Sequence, residues 1–289
     1  VVDTTALTLA HEIPGTEGVH GVALAPDKHV GLTSNGGSSS VTVFDLDSLQ
    51  TLARIGAVGQ GPDAIVYDKR SSRAFTFNGR SRDASVIDVG RLRVVGSVPL
   101  PGKPEFAVSD EAGSVFVNIQ DRNLLARIDT ASLQVTAQWP LPGCEGPTGL
   151  AVDVAQRRLF VSCSNRTLLV VDARSGAAVA RLEIGAGSDA VAFDPGKALV
   201  LSSNRDGTLA VVLQLEADHY VSRPALPTLV GARTLALDPL THRVYLVTAD
   251  FEPAADASSA ASWAAPVRPL ARAGTFSVLS VDLAGYPDR

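Results

Sequence analysis

Six residues of unlike chemistry recur at one repeated place along this chain: His20, Asp63, Glu105, Thr148, Asp189 and Arg233. They stand 43, 42, 43, 41 and 44 residues apart. Brought together, His20, Asp63, Glu105 and Asp189 would offer nitrogen and oxygen donors of the kind that hold a divalent cation. Carboxylates gathered without a cation would repel and raise one another's pKa. Arg233 would offer a planar fork to a carboxylate or phosphate. The plainer alternative is a set of solvated charges at strand ends, facing water.

The elements that position these residues are short strands. Each of the six opens an apolar run, as in His20-Gly21-Val22-Ala23-Leu24 and Asp189-Ala190-Val191-Ala192-Phe193. Five residues on comes a turn position: Ala25, then Asp68, Asp110, Asp153, Asp194 and Asp238. Aspartate favours turns because its side chain bonds the backbone two residues ahead. A second anchor ends a later strand in each unit, at Asp45, Asp88, Asp129, Asp172, Leu213 and Asp282. Each unit therefore reads strand, turn, strand, loop, strand, turn, strand, with no helical period of useful length.

Four strands in every 42 residues or so is the repeat of a β-propeller blade. The fold expected is all-β, one propeller domain over residues 1–289, with six full blade equivalents. The first strand of each unit has one small side (Gly21 and Ala23, Gly149 and Ala151) and one mostly large side (Val22 and Leu24, Leu150 and Val152). Apolar residues on both sides suit a sheet packed on both faces. In such a ring the six polar residues would meet at the mouth of the central channel, a concave place with convergent polar groups. Residues 1–15 match only the last part of a repeat, Val1-Val2-Asp3 aligning with Arg127-Ile128-Asp129. A terminal strand could close a six-bladed ring and so remove exposed sheet edges. Alternatively the first blade is truncated from a seven-bladed parent, the arrangement expected for a chain with no methionine at position 1 or elsewhere.

The motif Phe75-Thr76-Phe77-Asn78, the loop Gly61-Pro62-Asp63 and the strand end Val86-Ile87-Asp88 resemble the YVTN-repeat propellers, and most closely the YncE-like bacterial group. The resemblance implies a seven-bladed protein exported to the periplasm or cell surface. It implies no established activity, although single-stranded DNA binding is associated with the family. This chain departs from the repeat at Ile119 and Thr248, which stand where the motif has asparagine.

The asparagines that are present, Asn35, Asn78 and Asn204, end second strands. Their tolerance of tight turns suggests a structural role. Cys144 lies in a loop before one first strand, and Cys163 ends the following strand. Antiparallel pairing about the Asp153 turn brings the two regions together. A disulfide there would stabilise by about 3 kcal/mol, and two free buried thiols are the alternative. The last unit is long: 69 residues separate Leu213 from Asp282. The excess, about residues 249–274, is rich in Ala, Pro and Ser and reads as a flexible insertion on the same side as the polar residues. Trp263 within it is a candidate anchor for a partner.

Composition narrows the function classes. Net charge is −5, so a phosphate-binding surface for nucleic acid is not expected. No apolar run reaches the length of a spanning helix. The chain lacks G-x-S-x-G, H-E-x-x-H, P-loop and dinucleotide signatures. Two functional expectations follow. One is an exported, periplasmic or extracellular, non-catalytic propeller, monomeric, whose polar mouth (His20, Asp63, Glu105, Thr148, Asp189, Arg233) binds a protein or small ligand. The other is a metal-dependent, lactonase-like hydrolase with a divalent cation on His20, Asp63, Glu105 and Asp189.

Overall fold

The computed structural model describes residues 1–6, 8–252 and 271–286. Two compact units divide the chain, Val1–Glu183 and Ile184–Arg289.

The first unit begins with a small antiparallel hairpin, β1 (Val2–Asp3) and β2 (Thr8–Leu9). Four sheets follow, each a four-stranded antiparallel meander in chain order. They are β3 (Val19–Ala25) to β6 (Thr51–Ile55), and β7 (Pro62–Asp68) to β10 (Arg93–Pro99). Then come β11 (Pro104–Ser109) to β14 (Gln134–Pro140), and β15 (Pro147–Asp153) to β18 (Ala178–Glu183). The strands between them are β4 (Val30–Asn35), β5 (Ser40–Asp45), β8 (Arg73–Asn78), β9 (Asp83–Asp88), β12 (Ser114–Ile119), β13 (Leu124–Asp129), β16 (Arg158–Cys163) and β17 (Thr167–Asp172). The only helical pieces are 3-10 turns of three residues, so no helix is long and apolar enough to cross a membrane among the described residues.

Core clusters join each sheet to the next. Ala23, Leu32 and Val41 of the first sheet pack with Ile65 and Ile87 of the second. Phe75 and Phe77 meet Val115 and Val117 of the third. Phe116 and Leu125 meet Leu150 and Leu159 of the fourth. Burial on both faces is why the middle strands read as continuous apolar runs. The first sheet departs from the expected packing. Val22 is 57% exposed and Leu24 55%, whereas Ile65 and Leu150, at the place of Val22, are 8% and 1% exposed. Only the two-stranded β1–β2 hairpin comes before β3 among the described residues of this unit.

Hydrogen bonds explain the turn aspartates. Asp68 is fully buried; it accepts the Ser71 N–H at 3.0 Å and, from the next sheet, the Ser109 hydroxyl at 2.7 Å. At the ends of the third strands, Asp45 accepts the N–H and hydroxyl of Ser48, and Asp129 those of Ser132, all at 2.7 Å. These bonds hold both carboxyls below their usual range. Asp3 caps the β1–β2 turn in the same way, accepting the N–H groups of Ala6 and Thr5. That is the match between residues 1–3 and 127–129 seen as structure.

The second unit has one four-stranded meander, β19 (Ser188–Asp194), β20 (Leu199–Asn204), β21 (Thr208–Glu216) and β22 (His219–Pro227). A three-stranded sheet follows, β23 (Thr234–Asp238), β24 (Arg243–Thr248) and β25 (Ser277–Asp282). Leu201, Leu209 and Val211 pack against Val244 and Leu246. The buried carboxylate of Asp194 meets His242 Nδ1 at 2.8 Å. The insertion leaves and returns between β24 and β25 through a bridge from Phe251 to Ala271, tied by the Arg272 N–H on the Asp250 carbonyl at 2.8 Å. Residues 253–270 of the insertion, with Trp263, lie outside the described residues.

Candidate functional site at the inner-strand ends

The residues singled out by the repeat sit at a break in the β-ladder. In the first sheet Val19 pairs with Asn35 and Gly21 with Ser34, so His20 is an extra residue. Asp63 and Ala64 lie between the Pro62–Asn78 and Ile65–Thr76 pairs. Glu105, Thr148 and Asp189 fall in the corresponding shifts of β11, β15 and β19. A bulge of this kind bends the strand and re-aims the side chain it carries. Arg233 differs: it precedes β23, whose ladder is regular.

A bulge takes backbone groups out of the ladder, and buried groups of that kind need new partners. The second strand of the neighbouring sheet supplies some of them. Ser34 Oγ donates to the Asp63 carbonyl, and in the second unit Ser203 Oγ donates to the Arg233 carbonyl. Asn118 Nδ2 donates to the carbonyls of Thr148 at 2.9 Å and Gly149 at 3.1 Å. Within their own sheets, the Gly21 and Gly149 N–H groups donate to Ser34 Oγ at 2.9 Å and Ser162 Oγ at 3.0 Å. The side chains at these ends are thus set on a fastened backbone.

Their charges pair within each unit. His20 Nδ1 lies 3.4 Å from Asp63 Oδ1, joining the first two sheets. Gly36 makes room for this imidazole, because a Cβ there would come 2.8 Å from its ring. Lys103 Nζ bonds Glu105 and, at 2.8 Å, Gln120 Oε1. Thr148 is nearly buried, its hydroxyl 3.1 Å from that of Ser162. In the second unit Arg233 Nε is 3.4 Å from Asp189 Oδ2. Among the described residues no three of His, Cys, Asp and Glu come together as a metal cage. Lys103 is the partner the repeat concealed, because it lies in the loop two residues before the marked position.

The asparagines have the structural role expected of them. All three are fully buried. Asn35 Nδ2 bonds Ser40 and Thr42, Asn78 Nδ2 bonds Asp83 and Ser85, and Asn204 Nδ2 bonds Thr208. Cys163 occupies the same place in β16, and it is joined to Cys144 in a disulfide.

No family model matches the chain, and no curated protein matches it. Solved structures do. A chain of Kuenenia stuttgartiensis hydrazine synthase is similar with a TM-score of 0.67 at 17% identity, over 82% of this chain and 78% of that one. The Cps50 (Swd1) β-propeller domain of Myceliophteria thermophila gives 0.67 at 9% identity, over 80% of each chain. A chain of a mitotic checkpoint complex gives 0.71 at 14% identity, over 85% of this chain and 76% of that one. Likeness at these identities defines the fold: this is a β-propeller of WD40-like type, with six blade sheets among the described residues.

Proposed function

We propose that this protein is a non-catalytic binding or scaffold propeller. Its contact surface in the first unit is the row of inner-strand ends formed by His20, Asp63, Glu105 and Thr148, with Lys103 beside them. One observation carries this: the bulge is repeated while the side chain on it changes. A shared backbone device with a different group on each copy suits recognition of an asymmetric partner or ligand. Asp189 and Arg233 hold the same repeat position in the second unit. The pairing of Asp63 with His20 and of Glu105 with Lys103 favours binding over cation-dependent hydrolysis. One similar chain belongs to a mitotic checkpoint complex and another to a hydrazine synthase, so fold analogy alone does not choose between scaffold and enzyme.

The protein is further proposed to be an exported monomer, periplasmic or extracellular; the Cys144–Cys163 disulfide supports export. The YVTN-like, YncE-like reading rests on the Phe75-Thr76-Phe77-Asn78 repeat motif. Its seven-bladed form is supported by the β1–β2 hairpin, which repeats the turn of Asp129.

A photo-crosslinking residue placed at Asp63, compared with one at Asp47 in the turn after β5, at the end of the first sheet away from His20, tests the contact surface. Extract from the source cells should yield a discrete adduct with the first label and not the second. Equal adducts from both labels, or none from Asp63, would contradict it.

A further inference from the structure

One third-strand position, far from the inner-strand ends, carries an arginine in place of an apolar residue. Two residues before the closing anchor of the third strand, four sheets carry Val43, Val86, Val170 and Val211, all essentially inaccessible to solvent, and the last sheet carries the exposed Ser280. In β13 that place holds Arg127. Arg127 is half-buried there, and a guanidinium that has lost part of its water favours a partner for its charge. Arg127 Nε donates to the buried Ser114 hydroxyl at 2.9 Å, which uses one of its five N–H groups.

Arg127 also lines a cavity of about 380 Å³ between the third and fourth sheets of the first unit. That volume lies within the range of about 300–1,000 Å³ common for small-molecule sites. Arg157 and Arg174 line it too, together with Asp110, Val152 and Val154. Three cations thus face one carboxylate. Asp110 is turned to its own loop, where Oδ1 accepts the N–H groups of Ala112 and Ser114, both at 2.8 Å. Nearby carboxylates are engaged as well: Asp172 with Arg158 at 2.7 Å, and Asp129 with Ser132. None of the three lining arginines forms an ion pair within 4 Å among the described residues, although the Arg127 charge adds to what holds the Asp129 carboxyl low.

We infer that this cavity is a second binding site, for a small organic anion. The guanidinium forks of Arg127, Arg157 and Arg174 take its carboxylate, and Val152 and Val154 take an aliphatic body. The site is independent of the polar row, because it lies at the opposite ends of the strands.

Titration calorimetry of the whole chain with sodium hexanoate, and separately with inorganic phosphate at matched ionic strength, tests it. Hexanoate should bind saturably at one site, and phosphate more weakly. Arg127→Val should weaken hexanoate binding about tenfold or more. This variant installs the residue that the fold already accommodates at four equivalent positions, so it should remain folded. Arg157→Ser, at a turn where the second sheet has Ser72, should weaken binding independently. Three results would overturn the inference: no saturable hexanoate heat, unchanged affinity in both variants, or phosphate binding as tightly as hexanoate.

Discussion

Asn118 of β12 reaches across to the next sheet, where its amide donates to the Thr148 carbonyl at 2.9 Å and the Gly149 carbonyl at 3.1 Å. This side chain replaces ladder bonds that the β15 bulge gives up. Asn118→Ala would leave two buried acceptors without it, a loss of about 2–3 kcal/mol. Urea unfolding of the variant should show it as a lower midpoint at unchanged slope. A loss below about 0.5 kcal/mol, the range of neutral surface changes, would mean that the bulge does not depend on this bond.

The disulfide stands where three other blades have a buried asparagine. Removing it with Cys144→Ala and Cys163→Ala should lower stability by about 3 kcal/mol. Cys163 is paired in register with Thr167, as Asn204 is with Thr208. Cys144→Ala with Cys163→Asn should therefore recover about 1 kcal/mol through a new amide–hydroxyl bond. Equal thermal midpoints for the two double variants would contradict the equivalence of these positions.

Acid should loosen the outer turns first. The carboxyls of Asp45 and Asp129 are held low by Ser48 and Ser132. A carboxyl whose folded pKa is depressed contributes stability that is present above its unfolded pKa, about 3.9. That contribution is lost as pH falls through the lower folded value. The melting temperature should accordingly drop below about pH 4. Asp129→Asn should be less stable at neutral pH and lose less on acidification. An acid limb of unchanged depth in this variant would rule out the turn as a contributor.

The imidazole of His20 depends on a glycine. Gly36→Ala places a methyl against that ring and should push His20 away from Asp63. The His20 ring resonances should shift by NMR, while those of His242 in the second unit stay in place. No movement at His20 would show that the ring is not seated over Gly36.

The repeat was legible because each blade buries the same kind of strand between the same turn residues. The six blade equivalents, the Asp turns and the closeness of the two cysteines follow from it. The bulges were not legible, because a one-residue shift in pairing leaves no mark in composition. Asn118 shows why this matters. It stands one place before Ile119, the position that holds asparagine in three other blades. Successive residues in a strand point to opposite faces, so it bonds the next sheet rather than its own hairpin. Lys103 was missed for a different reason: it lies in a loop, outside the strand period that identified Glu105. The exposure of Val22 and Leu24 depends on what packs against β3 from outside the strand, which the pattern within β3 cannot express.

On the proposed function, Asp63 and Glu105 serve recognition and do not hold a catalytic cation. Metal content decides this most directly, by plasma mass spectrometry on protein purified without chelator and on an Asp63→Ala, Glu105→Ala variant. Recognition predicts no stoichiometric calcium, zinc or manganese in either protein. A near-equimolar metal in the native protein that the variant loses would contradict the claim and favour the hydrolase.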